Sequence, residues 1–319
     1  MCYSAQIRAD YRTYVRLFGA HISIKEFFNT FFKRGQDSTL KIPKAMEAAF
    51  DDPRTPEEQE IKALIDQYKL DQATKCEQEL FKQRKRLVDA ERKLQVKETK
   101  AAANDQRIAT NKISQAKGKL EDLRRKELLD RDSRIFPGNY APVMVMQDGE
   151  KVVLPMRYQC RPQGMPISFD KDFPGTYNAR RDNLERFWKG QFGYSHGIMI
   201  VDTFYENVNR HKMEHRELRE NEEVENVVLK FDPSPAQQML VACLWSRWTA
   251  PGQPELLSFA AITDEPPEEV AAAGHDRCII PIRRENVDAW LNPDPKNLAA
   301  LYAILDDRER PYYEHRLAA

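Results

Sequence analysis

The sequence predicts an α+β fold, a mostly antiparallel sheet into which a long helical hairpin is inserted. Three observations predict it. The 75 residues from Glu57 to Arg131 hold no proline, one glycine (Gly118) and two aromatics (Tyr68 and Phe81), whereas the other 244 of the 319 hold all nineteen prolines and eleven glycines. Outside that stretch, short apolar runs alternate with turn residues, as strands do. No GxGxxG, no GxxxxGK and no regular strand–helix alternation occurs, which argues against a nucleotide-binding parallel sheet.

In chain order, Ile22–Phe32 and Lys41–Phe50 read as short amphipathic helices, and Pro53 and Pro56 punctuate the next helix start. Ala73, Cys76, Leu80, Gln83, Leu87, Ala90, Leu94, Lys97 and Ala101 then follow alternating steps of three and four, the signature of a coiled-coil seam. Beyond Ile108 that register meets Asn111, Gln115 and Asp122 and lapses, and a new one begins with Ile113, Ala116, Leu120 and Leu123. One continuous rod would be about 110 Å long. If both ends rejoin one body, the segment folds back within Lys97–Ile108, with Asn104-Asp105 as a local turn signal. The expected organisation is 1–56 as the first part of a body, 57–131 as an inserted antiparallel coiled coil, and 132–319 as the remainder.

After the insert, Val143–Met146 and Lys151–Met156 flank an Asp148-Gly149 hairpin signal. Gly197–Asp202, Val227–Phe231, Met239–Trp245 and Leu257–Thr263 are further strands. Helices are expected near Arg284–Leu291 and Asn297–Leu305.

Fifty basic residues balance fifty acidic ones, which excludes a globally basic nucleic-acid coat. By region, the insert carries +4 and the remainder −4; the many lysines of the insert suit a solvated coiled-coil face. No 18-residue uncharged apolar run marks a membrane span. The first twenty residues lack the apolar core of a signal peptide. Five scattered cysteines form no CxxC pair, so neither a disulfide scaffold nor a zinc cage is expected, and a reducing cytoplasm is the natural compartment. His211 and His215 share an HxxxH spacing, and no other histidine completes a ligand set.

Cys2 is the first residue with chemical promise. A small residue after Met1 permits removal of the methionine, leaving an α-amine and a thiol on adjacent carbons. Both are partly deprotonated near neutrality. Such an aminothiol can act as a nucleophile or condense with an aldehyde to a thiazolidine. Downstream, Thr176-Tyr177-Asn178-Ala179-Arg180 sets an amide and a guanidinium two residues apart, pointing the same way on a strand. Val201-Asp202-Thr203-Phe204-Tyr205-Glu206-Asn207 sets a carboxylate at the end of an apolar strand among aromatics, where burial favours acid–base use. Ala273-Gly274-His275-Asp276-Arg277-Cys278 sets a histidine ahead of a buried strand. Alone, each has a plain structural reading: a turn asparagine, a surface ion pair, a loop histidine.

In order, these stretches resemble the SRAP family, the SOS-response-associated peptidases or abasic-site-processing proteins. The family's Met-Cys start is similar to Met1-Cys2, and its Arg-Tyr-Asn-Val-Ala-Pro stretch to Arg134–Pro142. Its Asn-Ala-Arg, Tyr-Glu and His-Asp-Arg motifs are similar to Asn178–Arg180, Tyr205-Glu206 and His275–Arg277. The resemblance spans the N-terminal edge and most of 133–292. It implies a mostly antiparallel SRAP core and a thiazolidine crosslink between Cys2 and an abasic site in single-stranded DNA, shielding the lesion. It implies that Asn178 holds the cysteine and the sugar, that Glu206 is the acid–base group, and that His275 assists proton transfer and reversal. Arg180 and Arg157 would dock phosphates and Tyr158 would stack a base. Self-removal of Met1 would use the same cysteine. No cofactor or metal is implied, and association with the nucleoid would follow damage.

The chain departs from the family where Tyr3-Ser4 stand in place of Gly-Arg, which removes one expected cation, and where Tyr158 replaces a tryptophan. The insert and the charged His211–Glu225 loop lie outside the minimal domain, and the insert offers itself to a protein partner or a second copy. Two other classes share features. An N-terminal cysteine also begins class II glutamine amidotransferases, which leave Asn178, Glu206 and His275 without a task. A coiled-coil adaptor explains the insert alone.

Overall fold

A computed structural model of the chain describes residues 3–318. Among them, twelve strands share one hydrogen-bonded sheet: β1 (Ser4–Ile7), β2 (His21–Ile22), β3 (Arg134–Ile135), β4 (Tyr140–Gln147), β5 (Glu150–Tyr158), β6 (Asn178–Arg180), β7 (His196–Asn209), β8 (Asn226–Ser234), β9 (Met239–Trp248), β10 (Leu256–Asp264), β11 (Cys278–Ile279) and β12 (Tyr312–Leu317). The helices are α1 (Arg12–Phe18), α2 (Ile24–Gln36), α3 (Lys44–Ala48), α4 (Pro56–Val96), α5 (Lys100–Arg124), α6 (Phe169–Asp172), α7 (Arg210–Met213), α8 (Glu268–Ala272), α9 (Val287–Leu291) and α10 (Leu298–Asp306). The fold is α+β with a mostly antiparallel sheet, and none of these helices is long and apolar enough to cross a membrane.

Five strands close on themselves. β5 pairs β4, β4 pairs β7, β7 pairs β9 and β9 pairs β10, all antiparallel, and a parallel seam between β10 and β5 completes the ring. These strands are rich in β-branched and aromatic residues and are buried on both faces, as a ring packed inside and out requires. The β4–β5 connection is the expected tight turn: Asp148 and Gly149 both take positive φ, 51° and 83°, the conformation that matches the twist of the flanking strands.

β7 is the longest strand and leaves the ring halfway. Residues 196–201 pair β9, while 204–209 pair β8 and Ser4–Ile7 run antiparallel to 201–205. Glu206 therefore stands mid-strand rather than at a strand end. The apolar texture stops at Val201 in the sequence, but pairing with β8 carries the strand on through polar residues. On the other side, α1 clamps the ring: the buried Tyr14 hydroxyl donates to the Pro142 carbonyl and accepts from the Ile200 N–H.

α4 and α5 form an antiparallel pair, with Arg86–Asp105 and Glu79–Lys112 ion pairs across it. Gln83 and Ala90 of α4 and Ala102, Ala109, Ala116 and Leu120 of α5 are buried. The small side chains let the helices approach closely. The reversal occupies residues 97–99, where the Thr99 hydroxyl accepts from the Ala102 N–H and caps α5. Asn104 and Asp105 lie inside α5 and do not turn. The Thr99 cap, five residues before Asn104, satisfies the helix start, so the chain has no need of their turn chemistry. At its base the pair is held to the body by Glu58, which accepts from the Tyr11 hydroxyl, Arg12 and the Arg54 N–H. Asp132 holds the other end, accepting two bonds from Arg125.

Candidate functional site

Glu206 is fully buried, and its Oε2 lies 3.2 Å from His275 Nε2. The histidine follows α8, and Gly274, two residues beyond that helix, takes φ 93°. A Cβ on Gly274 would lie 3.1 Å from Lys212 Cβ and 3.4 Å from backbone at Lys212–Met213, so a larger residue would push the loop away from α7 and carry His275 with it. The ring is fixed from its other side: Nδ1 lies 2.8 Å from the Arg277 carbonyl and 3.3 Å from the Arg277 N–H. Both contacts turn Nδ1 toward the Arg277 backbone, and Nε2 faces the carboxylate. Burial lowers the pKa of His275.

Asn178 opens β6, which lies parallel to β10 with Ala261 opposite it. Its Oδ1 accepts from the buried Thr263 hydroxyl. Its Nδ2 is buried without a hydrogen-bond partner among the described residues, a donor held in reserve. Thr263 is a residue that sequence reasoning missed. It stood in an apolar run, and only the β6–β10 register reveals its task.

The N-terminal strand links these two regions. Ser4 pairs Tyr205, the neighbour of Glu206, and the Tyr3 ring meets Tyr177, the neighbour of Asn178, at 6.5 Å. Cys2 itself lies outside the described residues. Arg134, which opens the Arg134–Pro142 stretch but was given no role there, supplies a cation here: its Nε donates to Ser4 Oγ at 3.0 Å and its guanidinium lies 3.7 Å from the Tyr205 ring centre. Its signal in the sequence was its place at the head of the Arg134–Pro142 stretch.

Arg180 is half-exposed and forms a bidentate pair with Asp182, at 2.6 and 3.0 Å. Arg277 reaches the same carboxylate at 3.8 Å. Asp182 thus stands between two guanidiniums beside β6, with the Asp276 carboxylate also close to Arg180. An open groove of about 530 Å³ leads from solvent to His275, lined by Lys212, His215, Arg216 and Asp276 among others.

Two expected DNA contacts are corrected. Tyr158 is 1% exposed and packs against Phe259 and Tyr177, with ring centres 5.2 and 5.6 Å apart. It has no open face for a base; it sits where β5 meets β10 and serves the core. Arg157 is committed to Asp170 through both terminal nitrogens and to the Gln159 carbonyl, and Arg161 shares that carboxylate. Its role is to hold the chain at Gln159, whose φ of 136° is costly for a residue other than glycine. Among the described residues, no group of three metal-ligating side chains gathers, His211 and His215 included.

A family described as SOS response associated peptidase (SRAP) matches residues 97–316. The span includes Asn178, Arg180, Glu206 and His275 and leaves Cys2 and all of α4 outside. Among solved structures, one protein from Bordetella bronchiseptica is 15% identical, at a TM-score of 0.45 over 61% of this chain and 90% of that one. A protein from Bacteroides thetaiotaomicron is 13% identical, at 0.45 over 60% and 80%. A phage-related protein from Bordetella bronchiseptica is 18% identical, at 0.43 over 61% and 85%. No curated protein matches the chain.

Proposed function

The chain belongs to the SOS response associated peptidase (SRAP) family, and from that premise we propose that it captures abasic sites in single-stranded DNA as a covalent adduct on Cys2. Membership itself carries a DNA-damage-associated role and DNA as the partner. The finer reading rests on one observation above the others: a buried carboxylate–imidazole contact, Glu206 to His275, lies beside the strand that carries the N-terminus. Cys2 precedes Ser4 by two residues, so chain length alone keeps its Cα within about 7 Å of that of Ser4.

The chemistry follows from the residues. After loss of Met1, the Cys2 amine adds to the C1′ aldehyde of the ring-opened sugar. The carbinolamine loses water to give an imine. The thiol then adds across the C=N bond, sulfur to carbon and proton to nitrogen, and the thiazolidine closes. The Glu206–His275 pair donates a proton to the departing hydroxyl and takes one from the thiol. The Asn178 Nδ2 donor, unpartnered among the described residues, orients the sugar. Arg180 and Arg277 dock the flanking phosphates, and Arg134 stands in for the cation absent from position 4. Residues 1–56 and 132–319 form the reactive body in this reading, with 57–131 as an insert.

The test is a single-stranded oligonucleotide with one abasic site, mixed with protein whose intact mass shows Met1 removed. A heat- and SDS-stable adduct is expected, lost in Cys2→Ala. No adduct from the mature protein, or full crosslinking by Cys2→Ala, overturns the proposal.

A further inference from the structure

The face of α4 that turns away from α5 is apolar where it has no reason to be. Leu70, Phe81 and Val88 are 61%, 75% and 44% exposed. They lie eleven and seven residues apart, so at 3.6 residues per turn they fall within about 20° of one line, about 27 Å long. The seam with α5, through Gln83 and Ala90, lies roughly 160° away round the helix at the same turn angle. The stripe therefore contributes nothing to the hairpin. An isolated exposed leucine is ordinary; three aligned large apolar side chains on a solvated helix mark a contact surface.

The charges flanking the stripe differ in balance along it, net acidic toward one end and, with Glu91 set against three cations, net basic toward the other. Asp66 and Glu77 stand toward the N-terminal end, and Arg84, Lys85 and Arg92 toward the C-terminal end, all exposed. Asp66 also reaches Lys62, Glu77 reaches Arg124 and Arg92 reaches Asp89, solvated pairs that exchange partners at little cost. Arg84 and Lys85 have no ion pair among the described residues.

We propose that this face binds the same face of a second copy, with the two α4 helices antiparallel. Reversal lays the acidic half of each on the basic half of the other, whereas a parallel pair would set like charges together. Placing Leu70 against Val88 of the second copy brings Asp66 opposite Arg92. It also brings Glu77 within one turn of Arg84 and Lys85. The contact is its own complement about a two-fold axis near the middle of α4, so it closes at two copies. The two bodies then lie at opposite ends, with both Glu206–His275 sites free.

Sedimentation velocity on the full chain across the micromolar range tests this. A dimer is expected, weakened at least about tenfold by Phe81→Lys, with unchanged helicity because the side chain is exposed. Val88→Glu gives an independent second variant. An acidified copy (Arg84→Glu, Lys85→Glu, Arg92→Glu) and a basified copy (Asp66→Lys, Glu77→Lys) should each stay monomeric alone and dimerise when mixed. A wild-type chain that remains monomeric throughout overturns the proposal. So does a dimer indifferent to Phe81→Lys, or a mixture that fails to pair. A monomer that instead binds an undamaged oligonucleotide through Arg84 and Lys85 makes the face a nucleic-acid surface and likewise overturns it.

Discussion

His275 Nε2 and Glu206 Oε2 face each other at 3.2 Å in the interior, close enough for a proton held by one to pass to the other. The Arg277 carbonyl can only accept, and at 2.8 Å from Nδ1, against 3.3 Å for the Arg277 N–H, it favours the tautomer with its hydrogen on Nδ1. That leaves an Nε2 lone pair against a carboxylate oxygen unless one of the two is protonated. Burial works against the imidazolium, yet the neutral alternative is a carboxylic acid donating to the ring. In either form the pair stores a proton that it can give and recover, which imine formation requires at successive steps.

Glu206→Gln should therefore slow adduct formation by about 10²–10³-fold, because an amide can donate to Nε2 but cannot exchange a proton at neutral pH. His275→Gln should slow it by a comparable factor. Since both losses remove the same shared proton, the double variant should be little slower than the worse single one. Single-turnover kinetics on an abasic oligonucleotide measures all three. Fully multiplicative effects would show that the two residues act independently and that the shared proton is not the working unit.

Thr263→Val tests the positioning of Asn178. The threonine hydroxyl donates to Oδ1, which fixes which end of the amide points at the substrate. Valine keeps the shape and removes the donor, leaving a buried acceptor unsatisfied at a cost of about 1–3 kcal/mol in stability. A purely structural role would stop there. A positioning role adds a slower crosslinking rate in protein that is still folded, with DNA affinity unchanged. Normal crosslinking by folded Thr263→Val would remove Thr263 from the site.

The sequence made the sheet, the hairpin and the motif carriers legible to different depths. The proline-free stretch and the three–four seam gave α4 and α5 because helix periodicity is local. Glu206, His275 and Asn178 could be named, because each is flanked by a distinctive run. The tasks of Thr263 and Arg134 could not be read, since they exist only through the β6–β10 and β1–β3 registers, which are non-local pairings. Tyr158 shows the opposite error. An aromatic beside an arginine reads the same whether it faces a groove or a core, and only the stacking on Phe259 tells them apart.

That difference is measurable. Tyr158→Ala should cost about 3 kcal/mol or more in folding stability, the range for truncating a fully buried aromatic. Arg180→Ala should change stability by less than about 0.5 kcal/mol, because its partner Asp182 is a surface group. It should weaken single-strand binding and lower the salt slope by about one. Denaturant melts and salt titrations of binding on the two variants separate the roles. A stable Tyr158→Ala protein with weakened DNA binding would return Tyr158 to the DNA surface.

The last prediction concerns acid stability and comes from a histidine that takes no part in the chemistry. His196 is buried, its Nδ1 3.1 Å from the Trp290 carbonyl while its Nε2 accepts from the Gly193 N–H at 2.9 Å. Both ring nitrogens are used by the neutral form, and a second proton would set N–H against N–H. Burial pushes its pKa down to about 3. The unfolded chain, with an ordinary histidine pKa of about 6.5, binds more protons anywhere between those values. Stability is thus fully present above about pH 6.5 and lost as pH falls toward 3, at up to about 1.4 kcal/mol per pH unit. His275, also depressed by burial, acts in the same direction. His196→Phe should flatten this dependence. It should also destabilise the protein at neutral pH by about 2–4 kcal/mol, because the Gly193 N–H and the Trp290 carbonyl lose their partner. The gap between wild type and variant should therefore narrow as the solution is acidified. Urea melts at neutral and mildly acidic pH decide it: a gap of constant size at both would mean that His196 does not set the acid limit.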